Sequence, residues 1–172
     1  MSGYFLSGYF RRQLADYVEF HRDPRNFAMH VIGILFLFTG AVLPLSLIEF
    51  HIFDTPITLA AILAIPALIY WILLDTALGT AILAMAAVLL AVATMIANQA
   101  SSAMMWSIFS ALVVLGLSAQ IVGHKVFEGR EASLFTFPSH LMLGPMFVMA
   151  KLFIALGFRR DLAAIIGPPQ QT

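Results

Sequence analysis

The sequence contains no cysteine, which excludes disulfides, thiolate metal ligands and cysteine nucleophiles together. It is nearly as poor in charge, with 10% Asp, Glu, Lys and Arg against the roughly 25% of an average soluble domain. Nine Lys+Arg balance nine Asp+Glu, so the net charge is zero and no basic face points to a nucleic-acid partner. Basic residues are missing altogether from Asn26 to His124, where the acids are only Glu49, Asp54 and Asp75. What fills the 172 residues is apolar, at 61%. One small core cannot bury that much, so composition predicts a polytopic membrane protein.

A helix crossing about 30 Å of hydrocarbon needs about 20 apolar residues. The region without basic residues holds four such runs, roughly 28–48, 57–74, 77–97 and 103–123. Asp54 and Pro56, then Asp75-Thr76, then the polar run from Asn98 to Ser102 mark the turns between them. A fifth stretch, 141–158, carries Pro145 and Lys151; it either crosses or dips and returns. The predicted fold is all-α, an integral membrane protein of four or five transmembrane helices with an N-terminal interfacial helix. It forms a single membrane domain over 1–172: the interfacial helix in 1–22, the bundle in 23–158 and a tail in 159–172.

The N-terminus has no apolar core followed by a cleavage pattern, so it does not read as a signal peptide. It opens on a short repeat, Ser2-Gly3-Tyr4-Phe5 and Ser7-Gly8-Tyr9-Phe10, whose aromatics suit the headgroup region. Phe10, Leu14, Tyr17 and Val18 then recur at helical spacing, opposite Arg11, Arg12, Asp16 and Glu19. That stripe predicts a helix lying in the membrane interface. Arg11, Arg12, Arg22 and Arg25 precede the first run, while Lys125 and Arg130 follow the fourth. The positive-inside rule therefore places both ends of the four-run block on the cytoplasmic side. The short chain, which carries no retention signal, favours a bacterial inner membrane over the endoplasmic reticulum.

Ionisable groups at membrane depth are costly and mark function by default. An even number of runs separates His21, His30, His124 and His140, so these four share one membrane face, and His51 sits on the other as a solvated loop residue. Asp23 is a good N-cap and Pro24 suits the first helical position. The break there lets His21 and His30 aim at one point. Asn26 and His30 share a helical face, as do Gln120, His124 and Glu128. Glu128 alternatively belongs with Arg130 and Glu131 to an exposed charge cluster. Neutral imidazoles with a carboxylate or water suit one Fe(II), Zn or Mn ion.

The run Phe20-His21-Arg22-Asp23-Pro24-Arg25-Asn26 through His30 resembles the aromatic-His-x-x-Pro-x-Asn-x-x-x-His motif of the yeast-type Fe(II)-dependent 2-hydroxy fatty acid dioxygenases. Gln120-Ile121-Val122-Gly123-His124 through Phe127-Glu128-Gly129-Arg130 resembles their second motif, and Gly144-Pro145-Met146-Phe147 a weaker third. After the second motif the family often has Pro-Ala, where Ala132-Ser133 stand here. The resemblance implies α-oxidation: a long-chain 2-hydroxy fatty acid and O2 give the fatty acid one carbon shorter and CO2, the acid's carboxylate and 2-hydroxyl chelating Fe(II). Carried over, His21, His30 and His124 are implied iron ligands; the shared membrane face adds His140 as an expected fourth. Asn26, Gln120 and Glu128 orient them or hold substrate, and Arg22, Arg25 or Arg130 pairs with the carboxylate. The alternative is a non-enzyme, a small transporter or a structural metal-binding helical protein in the bilayer.

Overall fold

A computed structural model describes residues 2–131 and 139–167. Seven α-helices account for most of them: α1 Ser2–Glu19, α2 Pro24–Leu45, α3 Leu59–Leu74, α4 Thr76–Gln99, α5 Ser102–Val122, α6 His140–Ala155 and α7 Arg160–Ile166. The turns fall where the polar residues stand. Asp23 caps α2 by accepting from the Arg25 amide at 2.7 Å, with Pro24 at the first helical position. Asp75 closes α3 and caps α4 through the Leu78 amide, and Ser101 caps α5 through Met104.

Two local features depart from a purely helical reading. Glu49–Ile52 (β1) and Thr55–Thr58 (β2) form an antiparallel hairpin between α2 and α3. Its two-residue turn, Phe53-Asp54, has both φ angles positive (48° and 63°), the conformation whose twist matches paired strands. His51 pairs with Pro56 there and is exposed. At the other end of the chain's path, Gly123–Glu128 continues α5 as a wider π-helical turn.

Among the described residues, three helices are long and apolar enough to cross a membrane: α2, α4, and α5 with its π turn. The 16-residue α3 falls short of that length. Helices α6 and α7 together would add a fourth, but they meet at a 119° bend. Thus α7 is ordered helix where the sequence suggests the start of a tail, and residues 168–172 lie outside those described, as do Ala132 and Ser133.

Four passes, α2 to α5, carry the chain from one end of the bundle to the other and back. One buried cluster joins Val42, Leu43, Ala60, Ala93 and Met105 at the hairpin end. A larger one joins Leu14, Tyr17, Trp71, Leu78, Met146 and Phe147 at the opposite end. Helices α2 and α5 approach closely because Gly116 has no side chain; a Cβ there would come within 2.7 Å of Leu37 Cγ. The face of α1 that the sequence assigns to the lipid interface is instead inside the protein. Phe10, Leu14 and Tyr17 are at most 1% exposed, packed against α3, α6 and α7, while Arg11, Arg12, Asp16 and Glu19 face out. The stripe had a protein partner that a single helix cannot reveal.

Candidate metal centre

The larger cluster encloses polar groups at the end where α1, α2, α5 and α6 meet. His21, His30, His124 and Asn26 are all at most 9% exposed. Each position has a local cause. His21 follows α1, just before the Pro24 start of α2. His30 lies nearly two turns into α2, and His124 lies in the π turn. One ligand nitrogen from each histidine lies within 4.8 Å of the others. Their rings sit 4.5 Å (His21–His30), 4.8 Å (His21–His124) and 5.8 Å (His30–His124) apart, centre to centre.

Hydrogen bonds fix part of this arrangement. His21 Nδ1 donates to the Tyr17 carbonyl at 2.9 Å, which leaves the lone pair on Nε2. His21 Nε2, His30 Nδ1 and His124 Nδ1 are buried without a hydrogen-bond partner. Buried polar atoms are nearly always satisfied, so three orphaned nitrogens in one group need a physical account. A divalent cation supplies one, because neutral imidazole nitrogens are ligands for Fe(II), Zn and Mn. Burial holds His21 neutral, its pKa lowered to about 2, with the neighbouring His30 imidazole contributing next.

Glu128 Oε1 accepts from the Asp23 backbone amide at 2.8 Å and from Asn26 Nδ2 at 3.1 Å. The π turn alters the angular spacing that would put residues four apart on one face, and the side chain reaches across to the start of α2. Asn26 also donates to the Phe20 carbonyl at 3.3 Å. Gly123 is required beside it, since a Cβ there would collide with Asn26 Oδ1. Gln120 Nε2 donates to the His30 carbonyl at 3.3 Å and fills the space left by Gly33. Arg130 lies over the Phe20 ring and reaches the Glu19 carbonyl at 3.4 Å. Arg25 is held by Asp23 at 2.9 Å and lies over Phe127.

His140 lies beside the trio but outside it: its ring meets Tyr17 at 5.2 Å and Phe20 at 6.0 Å. Tyr17 is the site residue that sequence reasoning missed. Its ring stacks on His21 at 4.0 Å and 7°, and its hydroxyl is within hydrogen-bond distance of His30 Nε2, 2.5 Å. Tyr17 stands four residues before His21, which in a helix means the same face. That spacing was the available signal.

This is a helical protein, with three or four helices of membrane-crossing length, that buries a trihistidine group with the donor set of a metal centre. The chain belongs to the 2-hydroxy-palmitic acid dioxygenase Mpo1-like family, whose profile matches residues 7–156. That span includes all three histidines and every partner described above. No curated protein and no solved structure gives a match.

Proposed function

We propose that this protein is a membrane-embedded, Fe(II)-dependent dioxygenase of fatty acid α-oxidation. It converts a long-chain 2-hydroxy fatty acid and O2 into the fatty acid one carbon shorter, CO2 and water. The observation that carries the reading is the convergence of three buried, under-partnered imidazoles in a chain of this family. Bound iron would supply the activation of O2 and the chelation of a carboxylate with its neighbouring hydroxyl.

The chain's own residues do the rest. His21, His30 and His124 would hold the ion. Tyr17 fixes His21 by stacking and through its backbone carbonyl, and meets His30 through its hydroxyl. Glu128 and Asn26 lock the His21–α2 corner to the His124 turn. Gln120 braces the helix at His30. His140 supports Tyr17 from outside the trio. Phe147 and Phe27 cover the site on one flank and exclude water there. Apolar walls favour long chains by about 0.8 kcal/mol for each methylene buried.

Anaerobically purified protein loaded with Fe(II) and given 2-hydroxypalmitate is expected to consume one O2 for each pentadecanoate and CO2 formed. Full iron loading with no O2 uptake on adding the acid would overturn the reading.

The bilayer setting is part of the proposal. Large side chains such as Val88, Val114 and Ile121 are more than half exposed, which suits lipid far better than water. The distribution of basic residues supports a cytoplasmic position for the trihistidine end. Single cysteines at Gly3 and Glu131 of this cysteine-free chain are expected to be labelled from the same side, and one at Ser101 from the other. Labelling of positions 3 and 131 from opposite sides would refute the four-pass arrangement.

A further inference from the structure

A cavity of about 620 Å³ opens between α2, α4 and α6, within the range of small-molecule sites. On α2 its wall runs from Phe27 through Val31 to Phe38, about 16 Å at the helical rise of 1.5 Å per residue. Ile82 and Leu89 of α4 face it from the other side. Among the described residues lining it, only Lys151 is charged. Its Nζ lies 4.0 Å from the Phe27 ring centre and 5.1 Å from that of Phe147. No carboxylate among the described residues pairs with it. Phe147 in turn packs on His21 at 5.7 Å, so the cation sits one aromatic ring from the histidines.

An ionisable group in such apolar surroundings is expensive and needs a purpose. The cavity offers a long apolar trough with a cation at the end nearest the histidines, the complement of an amphiphilic anion. The arginines that the motifs suggest for this task are differently placed. Arg22 is exposed, Arg25 is paired with Asp23, and Arg130 is turned to Phe20 and Glu19. We propose that this cavity is a fatty-acid-binding channel in which α2 and α4 enclose the acyl chain and Lys151 binds the carboxylate of the incoming acid before it passes to the histidines. The identity of the acid as a 2-hydroxy acid rests on the function proposed above; the channel itself does not need the metal.

The test uses metal-free full-length protein in nanodiscs and the non-hydroxylated probe palmitate, with hexadecanol as its uncharged counterpart. Wild type is expected to prefer palmitate by about tenfold, the worth of one hydrogen bond to a charged group. Lys151→Met should remove that preference and leave hexadecanol binding unchanged, while Lys151→Arg should retain most of it. Ala155→Phe, at the exposed rim of the cavity, should weaken palmitate more than octanoate. Helicity and melting temperature verify that each variant is folded. Palmitate binding to Lys151→Met at wild-type strength would overturn the proposal, and so would a wild type that does not distinguish palmitate from hexadecanol. The latter result would mean that the cavity simply holds bilayer chains. Absence of O2 consumption with intact palmitate binding would refute the dioxygenase reading and leave the channel standing.

Discussion

His124→Ala is expected to lower metal affinity by at least about 100-fold and to abolish turnover. Changes to groups that merely orient a ligand cost about 10- to 100-fold, so loss of a ligand itself should cost more. His124 is 2% exposed and offers one of three nitrogens within 4.8 Å, and removing it leaves two imidazoles with no third partner. Metal content per chain reads the effect directly, and melting temperature reads it independently. A ligand at 1,000 times its Kd stabilises the folded state by about 4.1 kcal/mol. Wild type should therefore melt higher with Fe(II) or Zn(II), and His124→Ala should lose that response while still folding. His51→Ala, on the exposed hairpin at the other end, should behave as wild type. A metal response that survives His124→Ala and disappears in His51→Ala would place the ion elsewhere.

The sequence leads to the trihistidine end because the signals there are local and unusual. Pro24 fixes where α2 starts, which separates His21 from His30 by a corner rather than by two and a half turns of one helix. Four passes between His30 and His124 return the chain to the same end whatever the exact tilt of each helix. Counting passes survives even though α3 is only 16 residues long, since it still connects the hairpin to the Asp75 corner. The rest depends on packing between distant segments. Tyr17 reads as one apolar position of an amphipathic helix; its spacing sets it beside His21, but its approach to His30 and Phe147 depends on how α1 docks. Lys151 is visible as a lone cation in an apolar run, but its place beside Phe27 requires α2 and α6 to meet. Asp75 looks like a turn marker and caps α4 as such; that Arg159 also pairs with it, joining the α3–α4 corner to the α6–α7 bend, follows from no spacing in the chain. The hairpin is equally hidden, because four residues per strand give too short an alternation to separate from a loop.

Glu128 shows how one oxygen can hold the centre without touching the ion. Both groups that donate to it, the Asp23 amide and Asn26 Nδ2, belong to the start of α2, between His21 and His30. Glu128 itself ends the π turn that carries His124. The amides at a helix start have no partner within the helix, and a carboxylate there gains about 0.3–1 kcal/mol from the helix dipole. Glu128→Gln keeps an acceptor oxygen and loses only the charge. It is expected to retain metal nearly as wild type, with turnover reduced about tenfold by the looser corner. Glu128→Ala leaves two part-buried donors unsatisfied, at about 1–3 kcal/mol each, and releases the His124 turn from α2. Its metal affinity and its turnover should both fall about 100-fold, the upper end of the range for supporting groups. Iron content and 2-hydroxypalmitate consumption measured on both variants separate the alternatives. Equal metal loss in Gln and Ala would make Glu128 a ligand through its charge. Wild-type iron content and turnover in Glu128→Ala would remove it from the centre altogether.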